Sequence, residues 1–296
     1  MAERQTEQSG SYRGLDTWPD DRILDALVAG QERAIAAVRQ AAPAIAEAAT
    51  VLARRIAAGG RLAYAGAGTS IRVAVQDGSE LPATFGMPES KILYLIAGGR
   101  PAMFETLADA EDDEADGAAQ ADALIPADTL IAVAASGSTP FTVAAAKRAR
   151  EKGAVVIAVV NNAGSRLAAV ADLEILLASG PEVIAGSTRL GAGTAQKAAL
   201  NLLSTLTHVK LGAVHDGLMV NVETGNAKLR RRAAGIVAAI AGVDEHRAAA
   251  ALEAAGGHVK PAVLLCAGAK DIAAAQRLLA SANGNLRLAM TRLADT

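Results

Sequence analysis

The chain is poor in cysteine, in aromatic residues and in charge of either sign. Its single cysteine in 296 residues, Cys266, excludes an internal disulfide and lies in an apolar run that predicts a buried thiol. Aromatic residues make up 2% and the formal net charge is −2, which argues against a stacking or basic surface for nucleic acid. No apolar run is long enough to cross a bilayer, and the N-terminus is polar. These absences favour a cytoplasmic protein with neither a nucleic acid nor a membrane as partner.

What the chain does have is an alternation of short apolar runs with helical stretches from residue 61 onward. The predicted strands cover residues 62–65, 92–97, 129–134, 155–160 and 173–177. Apolar strands that alternate with helices are typical of a parallel sheet buried on both faces. The sequence therefore predicts an α/β fold, with a doubly wound parallel five-stranded sheet between two layers of helices.

Helical periodicity predicts the elements on either side of this alternation. One helical region covers residues 23–58, with Thr17 as its cap and a break at Pro43. Helices are also predicted directly after the first strand and at residues 101–109, 139–152 and 192–211, and the first dozen residues are predicted to be loose. From residue 227 only helices follow, at 227–241, 245–255, 260–267, 272–282 and 286–293. The expected organisation is an N-terminal tail with helices (1–50), an α/β domain (51–225) and a small helical subdomain (226–296).

Two strands end in turns that combine glycine with hydroxyl residues, Gly66-Ala-Gly-Thr-Ser70 and Ser136-Gly-Ser-Thr139-Pro140. Each turn precedes a predicted helix, so backbone N–H groups and the positive end of a helix dipole face the edge of the sheet. Both turns predict a receptacle for an anion, most simply a phosphate. A dinucleotide site is disfavoured because Ile71 occupies the last glycine position of G-x-G-x-x-G, and no P-loop motif occurs.

The polar loop at residues 186–197 allows two interpretations. It is either a helix start whose N–H groups are satisfied by Ser or Thr, or a third wall of the ligand site. On these residues alone we favour the capped helix start.

A series of motifs at matching spacing resembles the N-acetylmuramic acid 6-phosphate etherases. The motifs are Gly66-Ala-Gly-Thr-Ser70, Asp77-Gly-Ser-Glu80, Thr84-Phe-Gly86, Ile96-Ala-Gly-Gly99, Ala110-Glu-Asp112, Ala134-Ala-Ser-Gly137 with Thr139-Pro140, Gly180-Pro-Glu-Val183, Gly186-Ser-Thr-Arg-Leu190, Ala192-Gly-Thr-Ala-Gln-Lys197, Leu218-Met-Val220 and Asn226-Ala-Lys-Leu229. The resemblance covers residues 45–296. It implies a sugar isomerase (SIS) fold and conversion of N-acetylmuramic acid 6-phosphate and water to N-acetylglucosamine 6-phosphate and D-lactate. It also implies that no metal or organic cofactor is used, and that a homodimer carries its sites at the subunit interface.

The resemblance assigns two catalytic carboxylates. Opening of the sugar ring makes the C2 proton acidic, so a base can remove it while an acid protonates the lactate that leaves C3. Glu80 matches the acid and Glu111 the C2 base. Without the resemblance, Glu80 reads as the end of a helix and Glu111 as part of a solvated acidic run.

The resemblance also assigns the substrate-binding residues. Ser70, Ser136 and Thr139 would bind the phosphate with help from Thr69, and Ser187 and Thr188 would face the sugar. The lactyl carboxylate requires a cation. The candidates for this cation are Arg72, Arg189 and Lys197, and the sequence alone does not distinguish among them.

Three departures from the family pattern concern specificity. Ile71 replaces a glycine and is expected to narrow the pocket, Ser138 replaces an arginine, and Gly191 replaces a lysine. They leave open a different amino-sugar phosphate as substrate. Two alternative functions also stay open, an SIS-type isomerase, which would leave Glu80 without a role, and a non-catalytic sugar-phosphate sensor. The presence of both glutamates favours the etherase.

Overall fold

The computed structural model describes residues 5–8, 10, 12–105, 107 and 109–295. The chain divides into two compact units. The sheet unit comprises Met1–Gly78 and Ser90–Thr205, and the helical unit comprises Ser79–Glu89 and Leu206–Thr296.

The sheet unit contains the predicted parallel sheet. Its strands are β1 (Leu62–Gly66), β2 (Ile92–Ile96), β3 (Thr129–Ala134), β4 (Val155–Val160) and β5 (Leu173–Leu176), in the order β2-β1-β3-β4-β5. All four strand pairs are parallel, and each predicted strand is confirmed to within one residue at its ends. The central strands β1 and β3 are buried along their whole length, whereas β2 and β5 at the edges are partly exposed. The fully buried strands therefore mark the middle of a sheet that is covered on both faces.

Seven helices begin in the sheet unit. They are α1 (Asp20–Gln40), α2 (Ala42–Ala57), α3 (Gly68–Phe85), α4 (Glu114–Ala121), α5 (Pro140–Glu151), α6 (Arg166–Val170) and α7 (Gly191–Lys210). The predicted break at Pro43 is confirmed, since proline occupies the first turn of α2. Thr17 was wrongly assigned as the cap of α1. Its hydroxyl donates to the Gly14 carbonyl (2.7 Å) within a 3-10 turn, and Pro19 precedes the helix instead.

The predicted helix at residues 101–109 is wrong over its described residues. Only a 3-10 turn forms there, at Arg100–Met103, and residues 106 and 108 lie outside the described part of the chain. A helix that the sequence analysis missed, α4, follows instead. Its cap is Asp113, whose carboxylate accepts from the Asp116 amide (2.8 Å). The acids at residues 111–114 are all exposed, in agreement with the interpretation of this run as a solvated surface, and at a helix N-terminus they also complement the helix dipole.

The N-terminal segment is more ordered than its polar composition predicted. Gln5–Glu7 forms a 3-10 turn in which Thr6 is fully buried. The Thr6 carbonyl accepts from the Gly186 amide (3.0 Å), and its hydroxyl accepts from the Asn162 side chain (3.1 Å). The expectation of a loose segment is therefore wrong for residues 5–7.

A buried carboxylate on α3, Asp77, joins this helix to β1 and α7. Asp77 accepts hydrogen bonds from the Tyr64 hydroxyl (2.7 Å), the Asn201 amide (2.7 Å) and the Ser204 hydroxyl (2.9 Å). Burial, followed by the charge of Asp77, raises the pKa of Tyr64 well above its usual value. The tyrosine therefore stays a donor to Asp77, and this network fixes the first half of α3 against the sheet.

The helical unit contains five helices and a short hairpin. They are β6 (Val214–His215), β7 (Leu218–Met219), α8 (Ala227–Ala241), α9 (Glu245–Ala254), α10 (Val259–Cys266), α11 (Ile272–Ser281) and α12 (Leu286–Ala294). The five predicted helical segments are confirmed, and four of the helices are capped by the side chain that precedes them, Asn226, Asp244, Asp271 or Asn285. Cys266 is buried as predicted, and burial raises the pKa of its thiol.

Among the described residues, no single helix is both long and apolar enough to cross a bilayer. Only α1 and α2 taken together, bent by 57° at their junction, have that length and composition.

Candidate active site

The two glycine–hydroxyl turns come together at a switch point of the sheet. The chain leaves β1 toward β2 on one side and returns to β3 on the other. Gly66 at the end of β1 lies in register with Val133 near the end of β3. Parallel sheets leave a crevice at this place, beyond the carboxyl ends of the diverging strands. The order of the strands therefore explains why the two turns meet.

The crevice is a cavity of about 470 Å³ within the sheet unit. It is lined by side chains from both turns and from four further segments of this unit: Glu7, Thr69, Ser70, Glu111, Asp112, Ser136, Ser138, Thr139, Arg166 and Thr188. Six of the eight residues predicted for the site are in this set, namely Thr69, Ser70, Ser136, Thr139, Thr188 and Glu111. Ser187 is not among the lining residues.

In the second turn, some polar side chains do not make all the hydrogen bonds that they could. The Ser136 hydroxyl accepts from the Ser138 amide (3.2 Å). The Ser138 hydroxyl is buried and has no hydrogen-bond partner, and Thr139 precedes α5 without a side-chain cap bond. Buried polar groups are rarely left unpaired, so the Ser138 hydroxyl indicates a place for a ligand with acceptor oxygens at this turn.

The loop that precedes α7 is a capped helix start, but the cap is not the one expected. The buried Glu182 carboxylate accepts from the amides of Gly191 (2.9 Å) and Ala192 (2.8 Å). The expectation that Ser or Thr would satisfy these donors is therefore wrong. Because a carboxylate already occupies the N-terminus of α7, this helix is not available to a ligand anion. Thr188 is the side chain that this loop contributes to the cavity.

Acidic groups outnumber basic groups in the cavity. Glu7, Glu111 and Asp112 contribute three carboxylates, and Arg166 is the one Lys or Arg among its described lining residues. Neither Glu7 nor Arg166 was predicted from the sequence. Arg166 follows the carboxyl end of β4, so its place in the chain was the available signal. Glu7 lines the site because Thr6 is anchored beside it, which no local pattern reveals.

Arg72 lies in an adjoining cavity of about 220 Å³, which shares Thr69 and Glu111 with the larger one. Its guanidinium donates to the Ala102 carbonyl (2.9 Å), while its Nε is buried without a hydrogen-bond partner. The other two cations offered by the sequence, Arg189 and Lys197, are exposed and line neither cavity.

Comparisons with known proteins now identify the fold and the family. A family model described as the SIS domain matches residues 29–161. The N-acetylmuramic acid 6-phosphate etherase of Deinococcus radiodurans is 47% identical over 93% of this chain and 92% of its own. That of Rubrobacter xylanophilus is 44% identical over 98% of both chains. The chain belongs to the N-acetylmuramic acid 6-phosphate etherase family. A crystal structure of a Bacteroides fragilis protein provisionally assigned as a phosphosugar isomerase covers 69% of this chain and 98% of its own, with a TM-score of 0.52 and 19% identity, and so shares its fold.

Two of the departures from the etherase pattern have a structural explanation in this chain. Ile71 is fully buried and does not line either cavity, so the expected narrowing of the pocket is wrong. At Gly191 a Cβ atom would lie 3.1 Å from the Glu182 carboxylate that caps α7. Glycine there leaves room for the Glu182 cap. Ser138 lies in the cavity itself, where a hydroxyl takes the place of the positive charge usual in etherases.

Glu80, which matches the acid of the etherases, belongs to the helical unit. It occupies the C-terminal part of α3, which extends to Phe85, and its side chain is exposed. In the same unit Phe85 stacks on the buried His208 with ring centroids 4.4 Å apart. This stacking fixes the last turn of α3 within the helical unit.

Proposed function

We propose that this protein cleaves the D-lactyl ether of N-acetylmuramic acid 6-phosphate, giving N-acetylglucosamine 6-phosphate and D-lactate. The observation that carries the proposal is the 44–47% identity to etherases over nearly the whole chain. The hydroxyl-rich cavity at the switch point supports it, because a sugar phosphate is the kind of ligand that such a site accepts. By the same resemblance the enzyme is a homodimer with sites at the subunit interface.

The reaction is an elimination followed by an addition. In the ring-opened sugar, removal of the C2 proton leaves an enolate, and its electron pair expels the lactyl oxygen from C3, which takes up a proton as it leaves. Water then adds to C3 of the unsaturated aldehyde while C2 regains a proton. One ether bond and one water molecule are consumed, and one alcohol is formed on each product. The protein must therefore supply one base, one acid and a fixed sugar.

The base is Glu111, which lines the cavity between the two turns and adjoins the smaller cavity. The acid is Glu80, an assignment that rests on the resemblance. Ser70, Ser136 and Thr139 bind the phosphate together with Thr69. Thr188 and Ser187 are assigned to the sugar, Thr188 with the support of its position in the cavity.

The smaller cavity suits the lactyl group. It shares Glu111 with the larger one, as expected for a base that acts at C2 next to the lactyl ether at C3. Of the three cations that the sequence offered, Arg72 is the one that lines it, and the unpartnered Nε of Arg72 is a donor suited to a carboxylate. We therefore assign the lactyl carboxylate to Arg72.

A lactate-coupled assay with N-acetylmuramic acid 6-phosphate tests this function. Wild-type protein is expected to release lactate, whereas Glu80→Gln and Glu111→Gln should each slow release by at least about 100-fold, because general acid–base catalysis contributes factors of this size. The matched control is Glu174→Gln, which changes an exposed glutamate on the edge strand β5 and should release lactate at the wild-type rate.

Proton exchange at C2 separates the two roles. In heavy water Glu80→Gln should still incorporate deuterium at C2, because Glu111 remains to remove the proton, whereas Glu111→Gln should not. Absence of lactate release by wild-type protein that binds the sugar phosphate would refute the etherase and favour a sensor. Interconversion of sugar phosphates without lactate release would favour an isomerase.

A further inference from the structure

We propose that Arg166 binds the phosphate of the substrate and supplies the positive charge that the two glycine–hydroxyl turns lack. The inference rests on the proposed function for the identity of the ligand. It does not depend on turnover, since it concerns binding of the 6-phosphate group alone.

The charge of the cavity requires a cation for this ligand. A phosphate monoester carries about −1.5 to −2 charges at neutral pH, and Glu7, Glu111 and Asp112 place three carboxylates around the same cavity. Hydroxyls and helix N-termini offer partial charges, which offset only part of this repulsion. Among the described lining residues, Arg166 is the one lysine or arginine that can offset the rest.

The backbone on both sides of Arg166 is anchored to the second turn. The Leu167 amide donates to the Gly137 carbonyl (2.8 Å), and a Cβ atom at Gly137 would lie only 2.3 Å from Ser165. The hydroxyl of Ser165 in turn caps α6, accepting from the Ala168 amide (3.3 Å). Arg166 is the residue between these two anchors, so the fold holds its Cα beside the hydroxyls of the second turn.

The guanidinium of Arg166 is available for a ligand. Its partner among the described residues is Glu114, with 3.6 Å between Nη2 and Oε1, and both side chains are about 60% exposed. A pair this long and this exposed contributes little free energy, so a phosphate can replace it at small cost. Arginine also presents parallel N–H donors that match two phosphate oxygens.

Calorimetric titration with N-acetylglucosamine 6-phosphate, the proposed product, tests the assignment. The product carries the phosphate but no lactyl carboxylate. Arg166→Gln should weaken its binding about 10- to 100-fold, the factor expected for loss of a charge-assisted hydrogen bond. Arg166→Lys should recover part of the loss, because lysine restores the charge but not the two parallel donors. In turnover the loss should appear in KM rather than kcat.

The matched control is Arg150→Gln. Arg150 is also an exposed arginine with one weak acidic partner, Asp172 at 3.4 Å, and it lies at the C-terminal end of α5, outside the cavity lining. Its variant should bind the product like wild type, and circular dichroism should show that both variants are folded.

Three outcomes would overturn the assignment. They are equal affinities of Arg166→Gln and Arg150→Gln, a loss confined to N-acetylmuramic acid 6-phosphate (which would place Arg166 at the lactyl carboxylate), and a wild-type protein that binds no sugar phosphate. Wild-type protein that binds the product through Arg166 but releases no lactate would refute the proposed function and leave this inference standing.

Discussion

Replacement of Lys260 by methionine should stabilise the helical unit at neutral pH. Lys260 is 8% exposed at the start of α10, and its ammonium donates to the Gly284 carbonyl (2.7 Å). No acidic side chain of the described residues lies within ion-pair distance of it. Burial lowers the pKa of Lys260 from its ordinary value of 10.5 to about 8.

The size of the effect follows from this pKa. Each pKa unit corresponds to about 1.4 kcal/mol, so keeping the buried amine charged at pH 7 costs the folded state about 3 kcal/mol. Methionine keeps the apolar stem and removes the charge, but the Gly284 carbonyl then loses a donor, at a cost of about 1 kcal/mol. The net gain expected for Lys260→Met at pH 7 is therefore about 2 kcal/mol.

The stabilisation by Lys260→Met should depend on pH. Between pH 8 and 10.5 the unfolded chain keeps the lysine proton that the folded protein has released, so wild-type stability rises with pH through this range. The advantage of the variant should therefore shrink above pH 8 and disappear by about pH 10. Urea unfolding followed by circular dichroism at pH 7 to 10 measures both. The control Lys270→Met changes an exposed lysine of the same unit and should shift stability by no more than about 0.5 kcal/mol. A variant that is less stable than wild type at pH 7, or whose advantage does not fall with pH, would refute the reasoning.

Two further predictions concern the sheet unit. Asp128→Asn should destabilise it by about 3 kcal/mol, because the buried Asp128 carboxylate pairs with Arg61 (2.6 Å). Burial alone would raise the pKa of Asp128, but the hydrogen bonds from Arg61 and from backbone amides lower it, so this contribution is present at neutral pH and lost on acidification through that pKa. Asp122→Asn, at an exposed ion pair, should cost less than about 1 kcal/mol in the same urea titration. Gly137→Ala should cost more stability than Gly164→Ala and should also weaken product binding. Both glycines have φ of +65°, so each substitution carries the strain of the left-handed region, but only at Gly137 would the new Cβ collide with a neighbour. Equal losses at the two glycines would contradict the packing described for the second turn.

The strands and the helical subdomain could be predicted because the sequence carries their periodicities directly. The five strands of the parallel sheet are short and mostly apolar runs, and the C-terminal helices are separated by Gly, Asn or Asp residues that end or cap them. The predictions failed for two different reasons. The start of α4 is a local feature, since Asp113 accepts from an amide three residues later, but it was overlooked inside an acidic run. At the N-terminus, a tertiary hydrogen bond from Gly186 orders residues whose composition predicts disorder.

The candidate site could likewise be predicted only in part. The hydroxyl turns after β1 and β3 were predictable, because strand ends, glycines and helix starts are local features that the switch-point rule places together. For Arg166 the only signal in the sequence was its position after β4, which does not show which loops it meets at the carboxyl edge of the sheet. At α7 the cap was assigned to Ser or Thr of the adjacent loop, whereas the Glu182 carboxylate, nine residues before Gly191, accepts from the first amides of the helix.

The acidic lining of the cavity makes a local positive charge important for the binding of phosphate. Glu7, Glu111 and Asp112 would repel the phosphate of the substrate unless its charge were offset close by. Arg166 and the N-termini of α3 and α5 are groups of the sheet unit that can offset it. The effect of Arg166→Gln should therefore fall on KM, because the repulsion acts on binding of the phosphate group. A KM for Arg166→Gln equal to that of Arg150→Gln would refute this reasoning.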